Sequence, residues 1–323
     1  VLMNQFSFAL FKTVFWSMKQ YMHAGRTIRD KVRKLPEGIV KKTYRYWQDG
    51  QEAQECNIYA LSEEQPEKNP VLIDIHGGCW LYGDKDVYDH FSYNMVQKGF
   101  DVSSLTYRTI DQVHLRQQVQ DVFNYLNFLE ARQHEMGIDL SKAALTGDSA
   151  GAQLSLLCLS INQSEKLRKI FDVQQFHIDF KAVVLTHPVC FIDEAGRLPN
   201  WDLISRKISI PGLQTYLYGK NFHDQEDHGY SVNPYAYIKK SMKFPRILLV
   251  SSEGDKMFKG QTKMLMKALD QKNIKYDLYF DPDPYAVHVF NVVNPYLAKS
   301  EKCNSYITRF IMESMTEDQQ QEA

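Results

Sequence analysis

The sequence has little of three things that would narrow its class: cysteine pairs, long apolar runs and net charge. Its five cysteines are odd in number and scattered, and no two have the spacing of a metal site or a small disulfide scaffold. This usage favours a reducing cytoplasm. Lys12 and Lys19 interrupt the aromatic-rich stretch 3–22, so no run approaches the ~20 apolar residues of a spanning helix. We therefore predict no membrane span, and no signal-peptide cleavage pattern is present.

The charge balance excludes a second group of functions. A net charge of −1 leaves no basic excess for binding phosphates, so we expect no nucleic-acid partner. With 44% hydrophobic and 24% charged residues the chain reads as soluble and globular, and 323 residues can bury one large core. A small-molecule partner fits this composition best, and a homodimer is left open.

What the sequence does contain is a glycine–serine motif at a predicted strand-to-helix turn. Gly147–Gly151 reads Gly-Asp-Ser-Ala-Gly and lies between an apolar run and a helix-like run. A nucleophile elbow has this pattern, because a tight turn strains the serine backbone and leaves no room for side chains two positions away. Ser149 would then project near the amino end of a helix, where developing negative charge is favoured. The pattern alone also occurs by chance in many proteins.

A second motif lies upstream, after the strand-like run 70–75. His76–Trp80 reads His-Gly-Gly-Cys-Trp, and its glycines let backbone N–H groups approach a substrate oxygen. A plain glycine turn is the alternative interpretation. The candidate oxyanion-hole donors are the N–H groups of Gly77, Gly78, Cys79 and Ala150.

These motifs, with Gly83-Asp84 and Tyr107-Arg108, resemble those of α/β-hydrolase esterases, in the branch related to hormone-sensitive lipase and to feruloyl-esterase-like and arylformamidase-like enzymes. The resemblance spans roughly residues 40–315 and implies the α/β-hydrolase fold. The chain departs from the family at Cys79, where relatives often carry glycine. The Cys79 thiol either lines the site or is buried as a small hydrophobe in the core.

A nucleophilic serine needs a base and a carboxylate that orients the base, and in this fold the chain order is serine, acid, histidine. The β-branched run 246–252 ends in Glu253-Gly254-Asp255, at the sheet edge where such sites form. The family's Gly-x-Asp-like pattern favours Asp255, with Glu253 as the alternative. His288 is the one histidine beyond that strand, and Phe290 completes the family's His-x-Phe pattern. The histidines left as structural or surface residues after the elbow are His177, His187, His223 and His228.

Strand-like and helix-like runs alternate along the body, which predicts a mostly parallel eight-stranded sheet with helices on both faces. The predicted strands are 42–48, 55–60, 70–76, 101–107, 143–148, 181–186, 246–251 and 276–280. The predicted helices are 85–98, 115–135, 150–162, 260–272 and 297–315.

We expect three regions. Residues 1–40 form an amphipathic helical segment that packs on the body, acts as a lid, or contacts a membrane surface. Residues 41–315 form the hydrolase domain, with a small cap insertion near 189–235 because the strand–helix pattern breaks there. Residues 316–323, rich in Gln and Glu, form a disordered tail.

The predicted function is a serine carboxylesterase for small to medium esters, acting through an acyl-enzyme on Ser149 with His288 and Asp255, without metal or organic cofactor. An arylformamidase-like amidase would use the same machinery. A serine peptidase is less favoured because such relatives carry a large extra domain. A non-catalytic binding protein of this fold would require a damaged triad, and all three positions are filled.

Overall fold

The computed structural model of the protein describes residues 5–32, 34, 36–47, 54–62, 67–192, 210–218, 231, 233–256 and 258–321. Its centre is an eight-stranded sheet with strand order β1-β2-β4-β3-β5-β6-β7-β8. The strands are β1 (Ile39–Arg45), β2 (Glu55–Leu61), β3 (Pro70–Ile75), β4 (Asp101–Leu105), β5 (Asp139–Asp148), β6 (Ala182–Thr186), β7 (Arg246–Ser252) and β8 (Asp277–Asp281). β2 runs antiparallel to both neighbours, and the other pairings are parallel.

The central strands are apolar on both faces, as expected for a parallel sheet covered by helices on each side. Along β3, Val71 and Ile73 belong to one core cluster while Leu72 between them belongs to the other. β7 repeats this alternation, with Ile247 facing one cluster and Leu248 the other. The mostly parallel sheet predicted from the alternating pattern is confirmed, and the architecture is the α/β-hydrolase fold.

The helices cover the two faces of the sheet. Within the described ranges they are α1 (Gln5–Val32), α2 (Asp89–Gln97), α3 (Leu115–Met136), α4 (Ala150–Asn162), α5 (Glu165–Phe171), α6 (Ile210–Tyr218), α7 (Lys259–Gln271), α8 (Phe290–Val293) and α9 (Ala298–Gln321), with a 3₁₀ turn at Pro234–Ala236. Side chains of α3, α4 and α7 build one core cluster, and those of α2 and α9 build the other.

Several predicted boundaries differ from the structure by a few residues. β1 begins three residues before the predicted start, because as an edge strand it tolerates the charged pair Lys41-Lys42. α9 continues to Gln321, into the tail predicted to be disordered, because Glu and Gln are good helix formers and extend a helix already anchored in the core. Of the predicted cap insertion 189–235, residues 193–209, 219–230 and 232 lie outside the described residues, among them Pro199, Trp201 and Tyr230.

The long first helix contacts the body through ionic and backbone hydrogen bonds. Arg26 Nη1 lies 2.8 Å from Asp84 Oδ2, and Arg29 Nη2 donates to the carbonyl oxygen of Val87 at 2.8 Å. Lys19 pairs with Asp111 at 3.0 Å. In the described part of the chain, no helix has the length and apolar character needed to cross a membrane.

Candidate active site

The turn between β5 and α4 holds Ser149 in a backbone conformation that L-residues rarely adopt. Its φ of 51° and ψ of −113° place it outside the ordinary regions, at a cost of order 1–3 kcal/mol. A Cβ atom on Gly151 would lie 1.9 Å from the carbonyl oxygen of Ile75, and one on Gly147 would lie 2.6 Å from that of Gly151. Both glycines are therefore required by backbone packing, as the motif predicts.

Three polar side chains from distant parts of the sequence meet at this turn. His288 Nε2 lies 2.9 Å from Ser149 Oγ, and His288 Nδ1 lies 2.8 Å from Asp255 Oδ2. A carboxylate only accepts, so the His288 Nδ1–H donates to Asp255 and the unprotonated Nε2 can accept from the Ser149 hydroxyl. Each of the three follows the carboxyl end of a strand, namely β5, β7 or β8.

Asp255 is held as a buried anion. Its side chain is only 1% exposed, and burial alone would raise its pKa. Hydrogen bonds from His288 and from the Phe258 N–H, with the charge of His288, more than offset that effect, so the pKa lies below its ordinary value. Glu253, the alternative acid, has an exposed side chain, and its backbone N–H donates to Asp281. The structure therefore brings Asp255, rather than Glu253, to His288.

The loop after β3 packs against the turn that carries Ser149. Gly78, Cys79 and Trp80 all have positive φ, at 110°, 55° and 60°. A Cβ on Gly78 would lie 2.0 Å from the carbonyl oxygen of Tyr82, so only glycine fits there. Among the described residues, the backbone N–H groups of Gly78, Cys79 and Ala150 have no hydrogen-bond acceptor. These three donors remain available for a substrate oxygen.

The fourth predicted donor, Gly77, is already occupied. Its N–H donates to Asp148 Oδ1 at 2.7 Å, so it is not free to bind an oxyanion, and this part of the prediction is wrong. The other carboxylate oxygen, Oδ2, accepts from the Tyr88 hydroxyl at 2.9 Å. Burial raises the pKa of Asp148 to about 6, with the two hydrogen bonds opposing that shift. Sequence reasoning missed that Asp148 holds the loop after β3, although Asp148 occupies the first x position of the Gly-x-Ser-x-Gly motif.

Side-chain contacts of Tyr107 and Trp80 also hold the loop after β3 in place. The Tyr107 ring stacks on His76 at a centroid distance of 4.2 Å, and its hydroxyl donates to the His76 carbonyl oxygen at 2.8 Å. The Trp80 indole N–H donates to Gln153 Oε1 on α4 at 3.0 Å. The backbone that carries the free N–H groups is therefore tied to α4 and to the end of β4.

The Cys79 thiol is half-buried, and burial raises its pKa to about 11. At neutral pH it is a protonated thiol and a poor nucleophile. All five cysteines lie within the described residues, and all are free thiols. No group of three or more Cys, His, Asp or Glu side chains that could hold a metal occurs in the ranges described.

A mainly apolar cavity of about 520 Å³ lies between α1 and the body. Gly25 and Ile28 line it from α1, and Tyr88 and Val293 line it from the body. The buried Tyr88 side chain lies between the cavity and the turn, because it lines the cavity and its hydroxyl binds Asp148, the neighbour of Ser149. Ser149, Asp255 and His288 are not among its lining residues.

The chain is similar to known esterases in sequence and in structure. A family model described as BD-FAE matches residues 56–269. The crystal structure of esterase B from Lactobacillus rhamnosis superposes with a TM-score of 0.84 and 29% identity, covering 96% of this chain and 98% of that one. A probable carboxylesterase 5 from Arabidopsis thaliana is 21% identical over 269 residues, or 76% of each chain.

Other curated relatives match over a shorter stretch. Neutral cholesterol ester hydrolase 1 from Bos taurus is 27% identical over 117 residues, which is 34% of this chain and 28% of the relative. Ethyl acetate hydrolase from Pseudomonas putida is 28% identical over 102 residues, 31% of this chain and 32% of the relative. The matched stretch thus covers about a third of the length of these two relatives.

Proposed function

Because this chain belongs to the BD-FAE family, an esterase family of the α/β-hydrolase fold, we propose that it hydrolyses carboxylic esters with Ser149 as nucleophile. The observation that carries the proposal is the unbroken hydrogen-bonded series from Asp255 through His288 to Ser149. In this series a buried carboxylate orients a neutral imidazole, and the imidazole faces the hydroxyl that it must deprotonate.

The reaction proceeds in two steps. The Ser149 oxygen attacks the ester carbonyl carbon while His288 takes the hydroxyl proton, and Asp255 stabilises the imidazolium. Collapse of the tetrahedral intermediate breaks the bond to the alcohol oxygen, which receives that proton, and an acyl-enzyme remains. His288 then deprotonates a water molecule that attacks the acyl carbon, and the proton returns to Ser149 as the acid leaves.

The oxyanion of each intermediate is bound by backbone N–H groups of Gly78, Cys79 and Ala150. These are the donors that the described part of the protein leaves without an acceptor. Each donor contributes on the order of 3 kcal/mol to the lowering of the barrier. Gly77 serves this hole indirectly, because its hydrogen bond to Asp148 joins the loop to the turn that carries the nucleophile.

The direct test is covalent labelling. A second crystal structure of the Lactobacillus esterase is described as inhibited with a tributyrin phosphonate, so an alkyl phosphonate with a butyryl-like chain is a suitable probe. We expect one phosphonate adduct, located by peptide mass spectrometry on Ser149, with parallel loss of p-nitrophenyl butyrate hydrolysis. An adduct on another residue, or labelling without loss of turnover, would reject the assignment.

The substrate range is proposed to be small to medium esters, with the acyl chain entering the cavity under α1. The apolar lining and the volume of about 520 Å³ support this proposal. A panel of p-nitrophenyl esters from acetate to decanoate, with methyl ferulate and N-formylkynurenine, measures the range. Faster turnover of N-formylkynurenine than of every ester would favour the amidase alternative, which uses the same residues.

In this proposal α1 forms one wall of the substrate site. Gly25 lines the cavity, and no atom lies within 4 Å of a Cβ placed on it. We therefore expect Gly25→Leu to fold and to fill part of the cavity. Its kcat/KM for the decanoate ester should fall at least ~10-fold relative to that for acetate, because two lost methylene contacts are worth ~1.6 kcal/mol.

The matched control is Ala24→Leu, which adds the same side chain at the neighbouring, exposed position. It should leave the ratio of decanoate to acetate activity at the wild-type value. If Gly25→Leu also keeps that ratio, the acyl chain lies elsewhere and α1 has only a packing role.

A further inference from the structure

A second histidine, His187, lies directly behind His288. Its imidazole is buried, and its ring centroid is 5.4 Å from that of His288 at an interplanar angle of 65°. It follows β6, the strand between those that carry Ser149 and Asp255. Sequence analysis left it as a structural residue, and the triad does not use it.

Both ring nitrogens of His187 contact groups that connect to the His288 loop. Nε2 lies 2.8 Å from Ser252 Oγ, and Ser252 Oγ donates to the Ala286 carbonyl oxygen at 2.6 Å. On the other side, the Val289 N–H donates to His187 Nδ1 at 3.3 Å. The loop is therefore held at two points, one on each side of His288.

The chemistry of these partners determines the tautomer. The Ala286 carbonyl only accepts, so the single Ser252 proton is committed to it, and Ser252 Oγ must accept from His187 Nε2–H. His187 Nδ1 then carries no proton and accepts from the Val289 N–H. Each polar atom in the series has a partner, and reversing any one bond leaves two donors or two acceptors facing each other.

The loop needs this support because its backbone is strained. Val289 has a φ of 51°, which a β-branched residue rarely adopts. A Cβ on Gly254 would lie 2.4 Å from the Ala286 carbonyl oxygen, so the loop also packs tightly on the segment that carries Asp255. A strained loop persists only when its surroundings over-determine it, and the series through His187 supplies bonds at both of its ends.

His187 also stays uncharged. Burial and the proximity of His288 lower its pKa to about 3, and Asp255 opposes this shift. Among the described residues, His288 and Asp255 are the ionisable groups that act on it. A neutral imidazole at this place can hold the loop without competing with His288 for a proton.

We propose that His187 is a positioning residue for hydrolysis: through Ser252 and Val289 it holds the 286–289 loop so that His288 lies between Asp255 and Ser149. The inference rests on the proposed role of His288 as the base. It predicts that breaking the series impairs proton transfer while substrate binding is preserved.

The test uses the full chain with Ser252→Ala, His187→Asn and both together. Asn tolerates the positive φ of 46° at His187 and retains an acceptor near Nδ1, but it cannot reach Ser252. Each single variant should lower kcat for p-nitrophenyl butyrate at least ~10-fold, with KM within ~2-fold of wild type. Because the two residues act in one series, the double variant should lose about as much as the worse single variant.

The control is Ser160→Ala, which removes another buried hydroxyl that donates to a backbone carbonyl, here of Leu156. Its kcat should stay within ~2-fold of wild type. A second readout is the pH profile of kcat/KM, whose acid limb reports the catalytic base of the free enzyme. We expect this limb to shift in Ser252→Ala and to be unchanged in Ser160→Ala.

Folded variants with kcat within ~2-fold of wild type and an unshifted acid limb would overturn the proposal and leave His187 a core residue. If His187→Asn does not fold, Ser252→Ala alone tests the proposal, because this variant retains His187 and changes only a hydroxyl at the end of β7. Failure of the proposed function can be told apart from failure of this inference. In that case the phosphonate would not label Ser149 in the wild-type protein.

Discussion

Ser149→Ala is expected to lower kcat for p-nitrophenyl butyrate by at least ~10³-fold while leaving the protein folded. Alanine removes the attacking oxygen but adopts the same backbone as serine, so the strained turn and its packing against Gly147 and Gly151 are preserved. The measurement is steady-state turnover, with thermal unfolding to check the fold. Residual activity above the uncatalysed rate is expected, because the oxyanion donors remain.

Ser155→Ala serves as the comparison for this experiment, since Ser155 is also buried, lies on α4 after Ser149, and donates to the Gly151 carbonyl. It should lose much less activity than Ser149→Ala. Equal losses in the two variants would mean that the turn, rather than the Ser149 hydroxyl, is what hydrolysis requires.

The second large effect is expected at the carboxylate. Asp255→Asn should lower kcat by about 10⁴-fold, because an amide cannot stabilise the imidazolium and favours the wrong tautomer of His288. The Asp255 side chain is 1% exposed, so water cannot replace the lost charge. Glu253→Gln removes the same charge two residues away at an exposed position and should change kcat by less than ~3-fold.

Steady-state kcat for both variants, compared at one pH and with matched thermal unfolding curves, decides between the two carboxylates. Similar losses, or a larger loss in Glu253→Gln, would move the orienting role away from Asp255. The size of the difference also matters, since a loss below ~10-fold in Asp255→Asn would mean that His288 is oriented mainly by other contacts.

The positions of Ser149, Asp255 and His288 were predictable because they depend on sheet edges. Buried parallel strands appear in the sequence as short apolar runs, and the residues that follow them lie at one edge of the sheet. Ser149, Asp255 and His288 all follow such runs, and the structure brings them within hydrogen-bond distance. Local pattern and sheet topology were therefore sufficient to place these side chains at one sheet edge, and the family resemblance was needed to favour Asp255 over Glu253.

The hydrogen bonds of the loop after β3 were less predictable, because they depend on where the Asp148 side chain points. Nothing local to Gly77 indicates that its N–H is taken by Asp148, 71 residues away. The same applies to His187, whose partners come from β7 and from the loop after β8. A periodicity argument assigns such residues to an element but cannot pair their polar atoms across the fold.

The backbone of Ser149 has a consequence for how this protein would respond to selection for heat resistance. Ser149 has a backbone conformation that glycine adopts readily but that a residue with a side chain does not. This conformation lowers the stability of the folded state by about 1–3 kcal/mol. A library screened only for melting temperature should therefore recover glycine at position 149, in folded proteins that hydrolyse nothing. Thermal tolerance and turnover are opposed at this one residue, so a stabilised variant has to gain its stability elsewhere in the chain.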